Sequence, residues 1–290
     1  MIAQYITAAF IGLLLIGTVM SVRRLSDKSS DERRVWINVV KNIRWWMFLT
    51  AAVQLTVVLV ISGLLYQIPI LQWGWWKALT GVQGNASFGQ TSFGGPVWAV
   101  VGILLPVLLV IVIPNFAHLE EEWFRYGNEK MGHIRRFWTQ LCFGGLHLLA
   151  GIPLSAAIAL TASGYYFMWF YLRAHRNDSA AIERETANEP KIPKAKFPER
   201  PSFPDMADGY DAEAWTTHRA RLDVYDAEFD KVIVDHKNDV EQWVTDHRDW
   251  HSRLRSIKER PLFVCSAAHT SYNWTVIALF GLFTVTNWLI

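Results

Sequence analysis

Cysteine, net charge and basic patches are all scarce in this 290-residue chain. The two cysteines, Cys142 and Cys265, are too few for a disulfide framework. Against 26 Asp and Glu stand 28 Lys and Arg, a formal charge of +2. No basic patch interleaved with aromatics points to a nucleic-acid partner. No internal repeat is visible. A cleavable signal peptide is not expected either: basic residues follow the first apolar run instead of preceding it, and no small-residue cleavage site appears.

What the chain has is apolar length. A helix needs about 20 apolar residues to cross a bilayer. Residues 2–20, 45–66, 96–117, 137–150, 153–171 and 262–290 form such runs, the fourth and fifth joined by Gly151, Ile152 and Pro153. They predict an all-α fold, a polytopic bundle of about six transmembrane helices. The hydrophobic share of 51% is lowered by one polar stretch near 174–261. Arg23, Arg24, Lys28, Arg33, Arg34 and Lys41 follow the first run, Arg125, Lys130, Arg135 and Arg136 the third, and Arg173 and Arg176 the fifth. Lys258 and Arg260 precede the last, whereas loop 67–95 carries Lys77 alone beside Trp73, Trp75 and Trp76. Six spans with the N-terminus outside put every basic cluster on the cytoplasmic side. The expected organisation is therefore two helices and an external loop (1–95), a first core segment (96–175), a cytoplasmic insertion (176–261) and a second core segment (262–290).

Within the insertion, residues 177–210 carry Pro190, Pro193, Pro198, Pro201 and Pro204 and read as an extended linker. From 211 to 259 the pattern turns helical. Leu222, Tyr225, Phe229, Val232 and His236, then Val240, Trp243, His247, Trp250, Leu254 and Ile257, make a heptad-like stripe with one stutter. One long helix and a broken pair both fit. Such an arm suits pairing with a partner or a second copy. His218, His236 and His247 lie on or near the stripe, where packing or surface roles outrank a metal site.

Ionisable groups at membrane depth cost about 2.5–3.5 kcal/mol each on insertion scales, so they are usually functional. The third run ends in Glu120, Glu121, Glu122 and Arg125. Read as EExxxR, Glu121 and Arg125 lie at i,i+4, suited to an ion pair, and Glu120 is turned about 100° away, toward the bundle interior. A register beginning at Glu121 and Glu122 stays open, as does a plain acidic helix end at the surface. In the fourth run Phe143 and His147 form FxxxH. His147 lies eleven residues beyond Arg136, about 16 Å into the membrane, and needs a hydrogen-bond partner. Glu120 is the nearest in chain order, a neighbouring backbone carbonyl the alternative. The last run opens with HxxxN, placing His269 and Asn273 on one helix face. That pair can hold a developing oxyanion or act as polar glue between helices.

Taken in order, EExxxR, FxxxH and HxxxN resemble the motif set of the CAAX protease and bacteriocin-processing family, also called Abi. Its best understood members are the type II CAAX prenyl endopeptidases. The likeness covers about 96–175 and 262–280, and the stretch from Gly145 to Leu154 with Gly164, Tyr165 and Tyr166 is similar to the family's paired helices. The resemblance implies a multi-pass intramembrane endopeptidase of a prokaryotic plasma membrane. Its implied catalytic residues are Glu120, His147 as partner in activating water, and His269 with Asn273 as oxyanion pair; Glu121 and Arg125 support them. The implied substrate is a membrane-associated peptide or prenylated protein. Such a site works with or without zinc; the metal-free form is the reading taken, and Glu120, His147 and His269 would hold a metal if one bound. Two features depart from the family pattern: Tyr126 stands between Arg125 and Gly127, and the insertion parts the second motif from the third. A non-proteolytic scaffold or immunity protein acting through the arm, and a proton-coupled transporter, are the competing readings.

Overall fold

The computed structural model describes residues 2–82, 85–88, 91, 93, 95–202 and 212–289. Every regular element among them is helical. The α-helices are α1 (Ile2–Ser26), α2 (Asp31–Asn42), α3 (Trp45–Tyr66), α4 (Trp75–Thr80), α5 (Pro96–Arg125), α6 (His133–Leu146), α7 (Leu154–Ala187) and α8 (Ala212–Leu289). Local chemistry sets several of their ends. The Ser30 side chain accepts a hydrogen bond from the Arg33 N–H and caps α2, whose first turn carries Asp31 and Glu32. Helix α5 opens on Pro96, where a missing N–H costs nothing. Helix α6 runs into a 3-10 turn, His147–Ala150, that stops at Gly151 with φ of 82°. A side chain at Gly151 would also strike Trp76, so the hairpin between α6 and α7 needs glycine twice over. Further along that hairpin, a Cβ on Gly144 would run into the Ala157 carbonyl, which shows how closely α6 and α7 approach.

Among the described residues three helices, against the six expected, have the length and apolar composition to cross a membrane: Ile2–Ser26, Trp45–Tyr66 and Pro96–Lys130. The shortfall has a physical cause. Helix α6 has 14 residues, about 21 Å at the helical rise, against a hydrocarbon core of about 30 Å. Helix α7 and the last part of α8 are long enough but are interrupted by polar residues. Those residues face inward: Ser155, Ser163, Ser266, Thr270 and Ser271 are all fully buried.

The chain divides into two compact units. The first comprises Met1–Asp178 with Lys258–Ile290. Its main core joins Val39, Met47 and Ala51 to Phe143, Phe167 and Tyr171, and these to Leu262, Phe263 and Ala268. Helix α5 packs on α1 and α2, the Trp36 indole N–H of α2 donating to the Ile111 carbonyl at 2.8 Å. Pro114 lies inside α5 and has no N–H, so the Val110 carbonyl loses its intrahelical donor. Trp274 of α8 supplies one, its indole N–H at 3.0 Å. Two turns on, His118 of α5 and Ser266 of α8 are joined at 3.2 Å. The end of α8 that begins this unit is held by ion pairs from Glu259 to Arg34 (2.9 Å) and from Arg260 to Asp178 (3.0 Å).

The second unit is Ser179–Ile257. Helix α7 extends to Ala187, so the expected linker begins ten or so residues late; 177–187 contains neither proline nor glycine, and nothing there stops a helix. The arm from Ala212 onward is one unbroken helix, and its stripe meets the end of α7 and the extended segment that follows it. The Trp243 indole donates to the Pro190 carbonyl at 3.0 Å and Trp250 to Glu185 at 2.6 Å. Phe229 packs on Phe197 at 5.1 Å. His247 lies between Trp243 and Trp250, each ring 5.1 Å away, and His218 is buried beside Trp215. Those histidines serve packing positions.

Candidate functional site

Glu121 is the organising group of the first unit's interior. It sits fully buried near the end of α5, and three donors or charges converge on its carboxylate. His269 Nδ1 approaches Oε1 at 2.8 Å. The Cys265 thiol donates to Oε2 at 2.6 Å, and Arg125 Nε lies 3.2 Å from the same oxygen. The i,i+4 spacing of Glu121 with Arg125 brings the last pair together. Nε has no aligned hydrogen-bond acceptor, so the contact with Arg125 is an ion pair alone. The guanidinium also donates to the Gly164 carbonyl at 3.3 Å and lies 4.1 Å over the Phe143 ring. Both charges have no exposed side-chain surface, so each stays buried only because the other is there.

His269 is clamped on its faces as well as its edge. Phe167 stacks on it with ring centroids 4.1 Å apart, and Phe143 meets it edge-on at 5.8 Å. Its second nitrogen, Nε2, lies 3.6 Å from Glu120 Oε2, beyond hydrogen-bond length. That oxygen is buried and has no hydrogen-bond partner. One imidazole thus stands between two adjacent glutamates. A carboxylate only accepts, so with Glu121 ionised the Nδ1 atom carries hydrogen and Nε2 is the nitrogen left toward Glu120.

Glu120, His147, His269 and Asn273 all line one cavity of about 460 Å³. Glu121 and Arg125 stand outside its lining. The remaining wall is mostly apolar, with Leu13, Leu105, Phe116, Tyr272 and Val276 among its residues and Thr18 and Asn85 as polar exceptions. Along α5 the lining runs from Leu105 to Glu120, about 22 Å at the helical rise. Carboxylate and imidazoles therefore stand at one end of a long greasy slot. No known protein-family pattern, curated protein or solved structure matches the chain.

His147 does not bond to Glu120. Its Nδ1–H donates to the Phe143 carbonyl at 2.9 Å, one turn back at the end of α6, where the His147 backbone N–H turns to the Gly144 and Gly145 carbonyls. That bond leaves Nε2 of His147 as an acceptor. Among the described residues no three His, Cys, Asp or Glu groups are arranged to hold a metal ion. Glu120, His147 and His269, the residues named for a metal if one bound, all line the cavity.

Sequence reasoning missed Cys265 and Phe167. Cysteine and phenylalanine count as apolar filling in a span. The available signal for Cys265 was its place four residues before His269, on the same helix face. Nothing in the sequence singles out Phe167 among the aromatics of α7.

Proposed function

We propose that this chain is an intramembrane endopeptidase that hydrolyses a peptide bond with a glutamate-activated water. The observation that carries the reading is the unpartnered Glu120 carboxylate oxygen in one cavity with His147, His269 and Asn273. Glu120 takes a proton from water as the water oxygen attacks the scissile carbonyl. His147 Nε2 accepts from the same water and orients it. Asn273 and His269 donate to the oxyanion as it forms. With Nδ1–H held by Glu121, His269 donates from Nε2 only as an imidazolium, and the carboxylates on either side are its counter-charges. Glu120 then passes its proton to the departing amine as the carbon–nitrogen bond breaks.

In this reading α7 and the last part of α8 cross the membrane with α1, α3 and α5, and α6 with its 3-10 turn completes the sixth passage. Basic residues then lie on the cytoplasmic side, with the N-terminus outside, in a prokaryotic plasma membrane. The apolar slot beside the carboxylate suits a membrane-anchored or prenylated substrate. The test uses proteoliposomes and two quenched fluorescent peptides, one with a farnesylated cysteine three residues from its C-terminus and one without the lipid. Wild type should cleave at least one, and Glu120→Gln and His147→Ala should each lower kcat by about 10²-fold or more while still inserting. Failure of the wild type on both peptides, or full cleavage by both variants, overturns the assignment.

A further inference from the structure

Cys265 has no part in the chemistry above, yet its environment is specific. It is fully buried, and its sulfur lies 2.6 Å from Glu121 Oε2 and 3.0 Å from the Phe167 carbonyl. A thiol has one proton, and the Phe167 carbonyl lies inside α7, where a backbone N–H already serves it. The proton therefore belongs to the carboxylate, since hydrogen bonds to charged acceptors are the stronger ones. Cys265 and His269 are one helical turn apart on α8, and each holds a different oxygen of the same glutamate. Two donors on two oxygens leave that carboxylate no rotation about its last bond. Arg125 cannot replace the thiol, because it contributes charge without an aligned hydrogen bond.

We propose that Cys265 is a positioning residue: by pinning the carboxylate plane of Glu121 it fixes the direction in which His269 presents Nε2 to the cavity. The consequence for turnover rests on the endopeptidase reading, but the geometry does not. Cys265→Val keeps the apolar bulk and removes the donor; Cys265→Ser keeps the donor. Two measurements separate them: peptide cleavage in proteoliposomes, and the His269 Nδ1–H resonance in histidine-selective ¹⁵N spectra, assigned with His269→Gln. Cys265→Val should lower kcat about tenfold with KM unchanged and shift or broaden the resonance. Cys265→Ser should restore both to near wild type. An unchanged kcat and resonance in Cys265→Val overturn the proposal. So does a Cys265→Ser variant as impaired as Cys265→Val, which would assign the effect to packing. If the wild type cleaves neither peptide, the endopeptidase reading falls and the resonance alone decides: perturbed in Val and retained in Ser supports the role, unchanged in Val refutes it.

Discussion

Replacing Arg125 by leucine would strand the Glu121 carboxylate in the bundle interior. At their 3.2 Å separation two unit charges attract by about 5 kcal/mol at an effective dielectric of about 20. Desolvation of both ions offsets much of this, but it is not recovered when only one ion is removed. Breaking such a buried pair costs about 3–5 kcal/mol. The guanidinium over the Phe143 ring contributes about 0.5–2 kcal/mol of that loss. Arg125→Leu should therefore lower the unfolding free energy, measured by reversible denaturation in mixed detergent micelles, by about 3–5 kcal/mol. Combining it with Glu121→Gln removes the stranded charge. The double variant should be more stable than the sum of the single losses implies, by at least about 1.5 kcal/mol, within the range measured for residues sharing one network. Strict additivity, to within about 0.5 kcal/mol, would show that the two groups do not compensate each other and would refute the account of how charge is held in this interior.

Two further outcomes probe the packing. Gly144→Ala should cost about 1–3 kcal/mol by overpacking, because its Cβ meets the Ala157 carbonyl, whereas Gly145→Ala, with open space around it, should be neutral or slightly stabilising; thermal unfolding compares them directly. Trp274→Phe should cost about 1–3 kcal/mol by leaving the Val110 carbonyl without a donor, and adding Pro114→Ala, which restores an intrahelical N–H, should recover most of that loss in the same assay.

The parts of the site that could be read from sequence are those within a single helix. Glu121 with Arg125, and His269 with Asn273, follow from i,i+4 spacing. What escaped lies between helices. That Glu121 reaches across to His269 and Cys265 depends on how α5 and α8 are set against each other, which no local pattern encodes. His147 was assigned to Glu120 by chain order, but its own helix ended one residue earlier and offered the Phe143 carbonyl first. The span count came out higher than three because each apolar run was counted by its stretch of apolar residues alone, whereas α6 has only 14 residues and α7 and α8 carry serines and threonines buried against neighbours. The stripe on α8 showed its period clearly, yet it could not tell that the end of α7 and the proline-rich segment after it would supply contacts at Trp250 and Trp243.

The indole of Trp274 on the Val110 carbonyl and His118 on Ser266 are separated by eight residues on α5 and by eight on α8. The two helices run antiparallel there, and they are pegged at two heights about 12 Å apart. A slip of one turn would unseat both pegs at once and leave the Val110 carbonyl without its donor. The stretch of α8 between the pegs includes His269 and Asn273, which turns their depth against Glu120 into a fixed dimension of the molecule. A proline that weakens one helix thus acts as the notch by which a second is measured off against it.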